Sequence, residues 1–523
     1  MLADVASGIG FVQVESEFAA VRDAFGSLVV ARHRGDSVAD REEAYARMRT
    51  AFAERLREAP GASVMPDAGV GLAAIRAALA WMDEIEPVDG LETAGVAAVE
   101  PAAVAELRRA TMGAFGDAAG HVRLDAEVVD RLTLLRRLAT EPDAESRRAL
   151  FAGMAPIWAA VDGDGSGASP YQVLLRSSAG RWARNGSPVE AASTRLGLAP
   201  GSLEPMLRTI LARWRDVLGP RLVEPWDYRY VVGAMERRLG GRVTRARLRQ
   251  VNDAHLASLG ADPAALGIRY DVEPRPGRPA IPVAFTLSED VARRAPDGSW
   301  RAATPWVFAT YAEGGLGNLE ELLHESGHAL HYAAIRARPA FFEPPADAGG
   351  FVEGVADLVG WDAHEPAFQA RHLGARSDLR ETRLGRYGGV MLDVCWALFE
   401  IELHRAPDRS PNEVWAELAE AGLGMAPHPE WSWWAIRGQL IESPGYMANY
   451  ALAAVVAAAL RARIRELRGD WLDGDPGWYR FVSDGLLRFG ADRSPAEVLG
   501  SFLGRPLNAA ALIEDIELAG DPD

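Results

Sequence analysis

The spacing of hydrophobic and polar residues divides the chain into three parts. From about Glu15 to Gly260, hydrophobic residues recur at helical spacing, and Gly, Pro and Asp residues mark the turns between the helices. Between Ile268 and Glu313 the runs IRYDVE, IPVAFTL and PWVFATYA are rich in β-branched and aromatic residues and predict strands. Helical spacing returns at Leu319. The pattern therefore predicts a mostly α-helical protein with a small β-sheet in its middle.

Composition narrows the class of protein. With 523 residues, 48% of them hydrophobic, the chain can bury a large core, and we expect an N-terminal helical region, 1–220, followed by a second region, 221–523. The formal net charge of −17 disfavours nucleic acids and anionic membranes as partners. The N-terminus lacks a basic segment followed by an apolar run, so we expect a cytoplasmic protein. The apolar run Tyr450–Leu460 is shorter than the roughly 20 residues of a membrane span, which predicts a core helix.

The stretch NLEELLHESGHALHYAA, which begins at Asn318, combines an apolar face with chemically active residues. Asn318 and Glu321 resemble a capping box and predict the helix start, and Pro339 predicts its end. His324 and His328 lie one turn apart, a spacing that lets two imidazoles bind one Zn²⁺ at about 2.0–2.1 Å. The residues that recur at helical spacing on the predicted core face are Leu319, Leu322, Leu323, Ser326, Leu330 and Ala333.

Three carboxylates near this motif suit a catalytic metal site. Glu325 follows His324 directly, so it lies beside such a metal and can take a proton from water. Glu353, on a second predicted helix in GGFVEGVADLVGWD, supplies a third ligand. Asp357 faces the same way, and one of the pair can ligate the metal while the other accepts the outer N–H of a ligand histidine. For each residue the alternative is a charged surface helix.

These residues resemble a known family. The run HESGHALH followed by FVE is similar to the thimet oligopeptidase and oligoendopeptidase F family of zinc metallopeptidases, which are gluzincins. The segment EPWDYRYVVGAMERRL resembles the Pro-Trp-Asp segment of that family, and SPGYMANYALAAVV resembles its tyrosine-bearing segment. The chain departs from the family in reading EGVAD after the glutamate and in lacking a histidine shortly before the tyrosines.

The resemblance implies the function and its cofactor. It implies helices that enclose a catalytic cleft for short unstructured peptides and one zinc ion per chain, with the ligands His324, His328 and Glu353 and the base Glu325. The second region then contains the sheet, at about 268–313, the zinc-binding helices, at 318–361, and C-terminal helices. The alternatives are a zinc hydrolase of a non-peptide amide or specialised metabolite and a non-catalytic zinc-binding protein on the same fold. The oligomeric state is left open.

Two tyrosines complete the predicted site. Ser443 and Pro444 favour a helix start, which places Tyr446 and Tyr450 one turn apart on one face. The resemblance implies that a tyrosine of this segment donates to the developing oxyanion, with Tyr450 the closer match and Tyr446 a candidate substrate contact. The alternative is that both tyrosines pack against the core.

For several other histidines, tryptophans and the single cysteine, a structural role is favoured over a functional one. We expect packing or hydrogen bonding rather than metal ligation or catalysis for His331, His428, Trp431, Trp433, Trp434 and Cys395. The strand within 307–312 is predicted to lie at a sheet edge that holds an extended peptide. The glycines of AEGGLG fit either a peptide-binding backbone or a plain loop.

Overall fold

The computed structural model describes residues 2–58, 66–85, 100–124, 127–278, 280–281, 283–295, 297–343 and 348–520. It is mostly α-helical, as the sequence predicts. Helices dominate the described part of the chain before the central sheet: α1 Leu2–Arg34, α2 Ala39–Glu58, α3 Pro66–Ile85, α4 Ala102–Gly120, α5 Arg131–Thr140, α6 Ala144–Ala152, α7 Ala155–Asp162, α8 Pro170–Asn185, α9 Pro188–Arg195, α10 Leu203–Leu218, α11 Pro225–Val232, α12 Ala234–Leu239 and α13 Arg245–Ser258.

Short strands form the sheets. The strands are β1 Val122–Leu124, β2 Glu127–Val129, β3 Arg269–Asp271, β4 Phe285–Ser288, β5 Arg293–Arg294, β6 Trp300–Arg301 and β7 Pro305–Phe308. The central sheet has the order β3-β7-β4, in which β7 is parallel to β3 and antiparallel to β4. The prediction that the strand within 307–312 lies at an edge is therefore wrong, because both neighbours pair with β7. The edges of this sheet are β3 and β4.

Helices follow the sheet to the C-terminal end of the described chain. They are α14 Leu316–Ala334, α15 Gly349–Gly360, α16 Pro366–Phe368, α17 Leu379–Arg405, α18 Pro411–Leu418, α19 Gln439–Glu442, α20 Met447–Arg468, α21 Trp478–Val482, α22 Pro495–Leu503 and α23 Ala510–Glu517. Helix α15 packs against both α14 and α20. By length and composition α20 suits a membrane span, but 83% of its apolar window is buried inside the protein, as expected for a core helix.

The start of α14 differs from the prediction. The helix begins at Leu316 rather than Asn318. The carboxylate of Glu236, in α12, accepts the N–H groups of Leu316 and Gly317 at 3.1 and 3.2 Å and caps the helix from outside the local sequence. A negative charge at this end also interacts favourably with the helix dipole. The Asn318 side chain instead accepts a hydrogen bond from Arg136 in α5.

Glycines allow α15 to approach its two neighbours closely. A Cβ atom on Gly327, in α14, would lie 2.4 Å from the carbonyl oxygen of Ala356 in α15. A Cβ atom on Gly354 would lie 2.7 Å from a side-chain carbon of Val456 in α20. Protein interiors are close-packed, so no larger residue fits at these contacts without displacing a helix.

The hydrophobic residues form a main core and smaller clusters. The main core includes buried residues from Phe115 to Ile516, and the predicted core face of α14 is buried in this region of the protein. A separate cluster joins α1, α2 and α3 through residues such as Phe18, Tyr45 and Ile75. The division of the chain at residue 220 stays a prediction.

Candidate metal centre

Helices α14 and α15 bring the predicted ligands together. Residues four apart on one helix are neighbours, and the Nε2 atoms of His324 and His328 lie 3.1 Å apart. Glu353 reaches them from α15, with its Oε2 atom 3.2 Å from His324 Nε2 and 3.6 Å from His328 Nε2. The three side chains are 13% to 22% exposed, so they are enclosed by protein and still reach solvent.

The geometry of these three atoms fits zinc. A tetrahedral ion with ligands at about 2.0–2.1 Å places its ligand atoms about 3.3–3.4 Å apart, within the range observed here. Asp357 accepts the N–H of His324 Nδ1, so the Nε2 atom of His324 is the one that faces Glu353 and His328. In the neutral form of the histidine this nitrogen has the lone pair that a metal ligand needs. Imidazole and carboxylate are ligands that zinc uses in catalytic sites.

Asp357 orients the first ligand. Its Oδ1 atom lies 2.7 Å from Nδ1 of His324. Burial lowers the pKa of His324, but the charges of Asp357 and Glu353 outweigh burial and hold the pKa well above its ordinary value. Burial likewise raises the pKa of Glu353, and the two histidines outweigh it and hold the pKa well below the ordinary value. The site therefore attracts positive charge.

Glu325 lies beside the ligands and is fixed from the sheet. Donor atoms of His324, Glu325 and His328 lie within 4.8 Å of one another, which places Glu325 beside the two histidines. Its side chain is buried, and its Oε2 atom lies 2.7 Å from the Thr286 hydroxyl on strand β4. Sequence reasoning missed Thr286, since nothing in the local pattern links the strand to the helix.

The two tyrosines share one face, as the spacing predicts. Their ring centroids lie 5.3 Å apart. The hydroxyl of Tyr446 donates to Glu353 at 3.2 Å, and the hydroxyl of Tyr450 accepts a hydrogen bond from Gln439 at 3.4 Å. Helix α20 begins at Met447, so the predicted start at Ser443 and Pro444 is wrong.

A buried carboxylate holds the segment that carries Tyr446. Glu400, in α17, accepts the N–H of Gly445 at 2.6 Å and the N–H of Met447 at 3.2 Å. Gly445 has a φ of 95°, a conformation that favours glycine. The chain turns here and enters α20 with Tyr446 directed at the metal ligands.

The other histidines and tryptophans lie in the environments predicted for them. Burial, and then the charge of His328, lower the pKa of His331 to about 3, and its ring packs edge-on against Phe351. His428 pairs with Glu224 and Glu430. Buried or stacked positions are occupied by Trp431, Trp433, Trp434 and Cys395.

The first two glycines of AEGGLG, Gly314 and Gly315, lie in a strand-to-helix loop, and Gly317 lies in α14. Gly314 passes so close to the backbone of Val243 that a Cβ atom would clash with its carbonyl oxygen. The N–H of Gly315 donates to that same oxygen at 2.8 Å. These contacts account for both glycines within the fold.

No protein-family model and no curated protein matches the chain by sequence, whereas solved structures resemble it over nearly its whole length. By structure, it is similar to the M32 carboxypeptidase from Deinococcus radiodurans R1, with a TM-score of 0.57, 14% identity and coverage of 97% of this chain and 99% of that chain. It is also similar to PZ peptidase A with an inhibitor, with a TM-score of 0.60, 12% identity and coverage of 97% and 96%.

A third similar structure is a candidate oligoendopeptidase F, with a TM-score of 0.58, 15% identity and coverage of 97% of this chain and 96% of that chain. The three likenesses extend over nearly the whole length of each protein. The chain therefore shares its fold with these peptidases, which include an oligoendopeptidase F of the kind that the sequence motifs resemble.

Proposed function

We propose that the protein is a zinc-dependent peptidase that hydrolyses short unstructured peptides. The observation that carries this proposal is the convergence of His324, His328 and Glu353 on one point, with the carboxylate of Glu325 beside it. The fold shared with peptidases supports peptide bonds as the substrate rather than another amide.

Each residue of the site has a separate role in the proposed reaction. A bound zinc ion supplies a Lewis acid that polarises a carbonyl and lowers the pKa of water towards about 7. Glu325, held by Thr286, takes the proton of the attacking water and passes it to the leaving amine. Asp357 keeps His324 in the tautomer that a ligand needs.

Tyr450 has the better geometry for the oxyanion. Its hydroxyl oxygen accepts from Gln439, so its own proton is free to donate to charge that develops on the substrate carbonyl. The proton of Tyr446 is already donated to Glu353. Tyr446 therefore positions Glu353, and Tyr450 is the donor to the substrate.

A mass-spectrometric digest of a mixed peptide library tests the proposal. The protein is loaded with zinc, treated with a chelator, and reloaded, and cleavage is expected to disappear and return. Metal analysis of His328→Ala is expected to show lower zinc content after dialysis against a weak chelator. Zinc binding without cleavage of any peptide would contradict the peptidase proposal and favour a non-peptide amide or a non-catalytic role.

A further inference from the structure

The carboxylate of Glu325 is tied to the central sheet by one hydroxyl group. The Thr286 hydroxyl, on strand β4, lies 2.7 Å from Oε2 of Glu325 and 2.9 Å from its backbone carbonyl oxygen. A hydroxyl has one proton to donate. The carbonyl lies inside α14, where the N–H four residues on donates to it, and the charged carboxylate is the stronger acceptor. Thr286 therefore donates to the carboxylate.

Strand β4 holds this hydroxyl in a fixed place. All four residues of the strand pair with β7. At the end of the strand, the buried guanidinium of Arg22, in α1, donates to the carbonyl oxygen of Ser288 at 3.3 Å, and a Cβ atom on Gly26 would lie 2.8 Å from the same oxygen. Thr286 itself is β-branched, which restricts the rotation of its side chain. The hydroxyl is therefore positioned by the sheet and by α1 rather than by the helix that carries Glu325.

This hydrogen bond is the support that the structure gives to the carboxylate. Within the described part of the chain, no other side chain donates a hydrogen bond to Glu325, and no cation forms an ion pair with it. The side chain is buried, and a buried carboxylate without a partner costs free energy. Its donor atom lies within 4.8 Å of those of His324 and His328. Without Thr286, a metal ion on these histidines is therefore a cation within its reach.

The two carboxylates beside the histidines are held by different parts of the fold. Glu353 accepts the Tyr446 hydroxyl at Oε1, and its Oε2 atom faces the histidines. Glu325 is held at Oε2 from strand β4. A catalytic zinc has three protein ligands and an open position for water or substrate. One carboxylate must therefore ligate the metal while the other stays off it.

We propose that Thr286 is a positioning residue that keeps Glu325 off the metal, so that its carboxylate remains a base. The hydroxyl anchors one oxygen of the carboxylate to β4 and leaves the other oxygen to take a proton from water. Loss of the hydroxyl releases the carboxylate, which then binds the metal as a fourth protein ligand and fills the open position. This inference rests on the proposed peptidase function and assigns the residue that separates base from ligand.

Cobalt substitution tests this role without measuring turnover. Co²⁺ accepts the same imidazole and carboxylate ligands as zinc, and its visible absorption depends on the number and geometry of its ligands. Thr286→Val removes the hydroxyl, and the spectrum of the cobalt-loaded variant is expected to differ from that of the wild type. The same change made in the Glu325→Gln protein should leave the spectrum unaltered, because no charged carboxylate is then released.

Steady-state kinetics give the second measurement. Thr286→Val should lower kcat by about 10- to 100-fold with little change in KM, and Thr286→Ser should retain most of the turnover because it keeps the hydroxyl. In the Glu325→Gln protein, Thr286→Val should cause no further loss, whereas general damage would add to the first loss. Thr304→Val is the matched control, since the Thr304 hydroxyl lies 3.4 Å from Asp290 just before β7, and it should change neither kcat nor the spectrum.

The two measurements separate this inference from the proposed function. If no peptide is cleaved but Thr286→Val changes the cobalt spectrum only when Glu325 is present, the peptidase function fails and the role of Thr286 stands. If peptides are cleaved and the spectrum of Thr286→Val equals that of the wild type, the role of Thr286 fails and the peptidase function stands. A loss of kcat that is repeated in full in the Glu325→Gln protein would also overturn the role of Thr286.

Discussion

The metal-binding side and the tyrosine–arginine side of the site hold their functional residues by different means. On the metal-binding side, His324, His328 and Glu353 project from α14 and α15, helices that touch along their backbones. A regular helix fixes the direction of each side chain, and residues four apart necessarily share a face. This side is determined almost entirely by two helices and their packing.

On the tyrosine–arginine side, the functional residues lie mostly at helix ends. Tyr446 directly precedes α20, and Arg437, whose guanidinium lies 5.9 Å from the ring centroid of Tyr450, lies shortly before α19. Their positions depend on contacts from other parts of the chain, such as that of Glu400 with the backbone around Tyr446. In the proposed function the metal-binding side holds the zinc ion and the base, and the other side supplies Tyr450 as the donor to the substrate.

The largest loss of turnover is expected when Glu325, the proposed base on the metal-binding side, is replaced. Glu325→Gln keeps the shape of the side chain but cannot accept a proton, so kcat should fall by about 10²–10⁴-fold. Zinc content should remain that of the wild type, because Glu353 rather than Glu325 is the proposed third ligand. Peptide turnover and metal analysis on the same preparation check both points. Turnover within a few-fold of wild type would remove Glu325 from the mechanism.

The next largest loss of activity is expected at the two tyrosines of the opposite side, which should differ in what their removal changes. Tyr450→Phe should lower kcat by about 10²–10³-fold with little change in KM, the signature of a donor that acts in the transition state. Tyr446→Phe is the matched variant, and it should mainly weaken zinc binding because it removes the donor to Glu353. Steady-state kinetics and zinc titration of both proteins measure the difference. Equal kcat losses in the two variants would contradict the assignment of Tyr450.

The features of the metal-binding side that were predictable from the sequence are periodic and local. The core face of α14 is buried as its spacing predicts, and His324 and His328 meet because a helix places them one turn apart. Glu353 was predicted to join the two histidines because its helix follows within a recognisable motif, and the structure places it beside them. The start of α14 was missed because its cap, Glu236, comes from another helix and local sequence carries no sign of it.

On the other side, tertiary contacts decide the arrangement. Glu400 looks like an ordinary carboxylate of an amphipathic helix, and only the fold brings it to the backbone around Tyr446. The central position of β7 was missed for a similar reason, since strand order depends on the crossover from β3 rather than on the composition of the strand. The four buried residues of β7 fit a central strand as well as an edge strand.

A smaller effect, on zinc affinity, is expected when Asp357, which orients His324, is replaced. Asp357→Asn retains an acceptor oxygen but loses the negative charge, and changes of this kind typically lower metal affinity by about 10- to 100-fold. Competition with a chromogenic zinc chelator measures the dissociation constant. Asp393→Asn is a comparison on the opposite side, because Asp393 pairs with Arg437, and it should leave zinc affinity unchanged. Equal zinc affinity in wild type and Asp357→Asn would show that the 2.7 Å contact to His324 does not support the ligand.

The smallest effect is expected from the helix contact that supports the metal-binding side. The Cβ atom in Gly327→Ala would lie 2.4 Å from the oxygen of Ala356, a backbone atom that moves only if the helices separate. Overpacking of this kind should lower the free energy of unfolding by about 1–3 kcal/mol.

Gly317→Ala is the matched control for this change, because Gly317 lies in the same helix with no atom within 4 Å of its Cβ position. It should be neutral or should raise the free energy of unfolding by about 0.4–1 kcal/mol. Urea unfolding of the zinc-free proteins measures both effects, and equal stability of the two variants would contradict the close helix contact. In Gly327→Ala, the separation of α14 from α15 should also weaken zinc binding, because α15 carries Glu353.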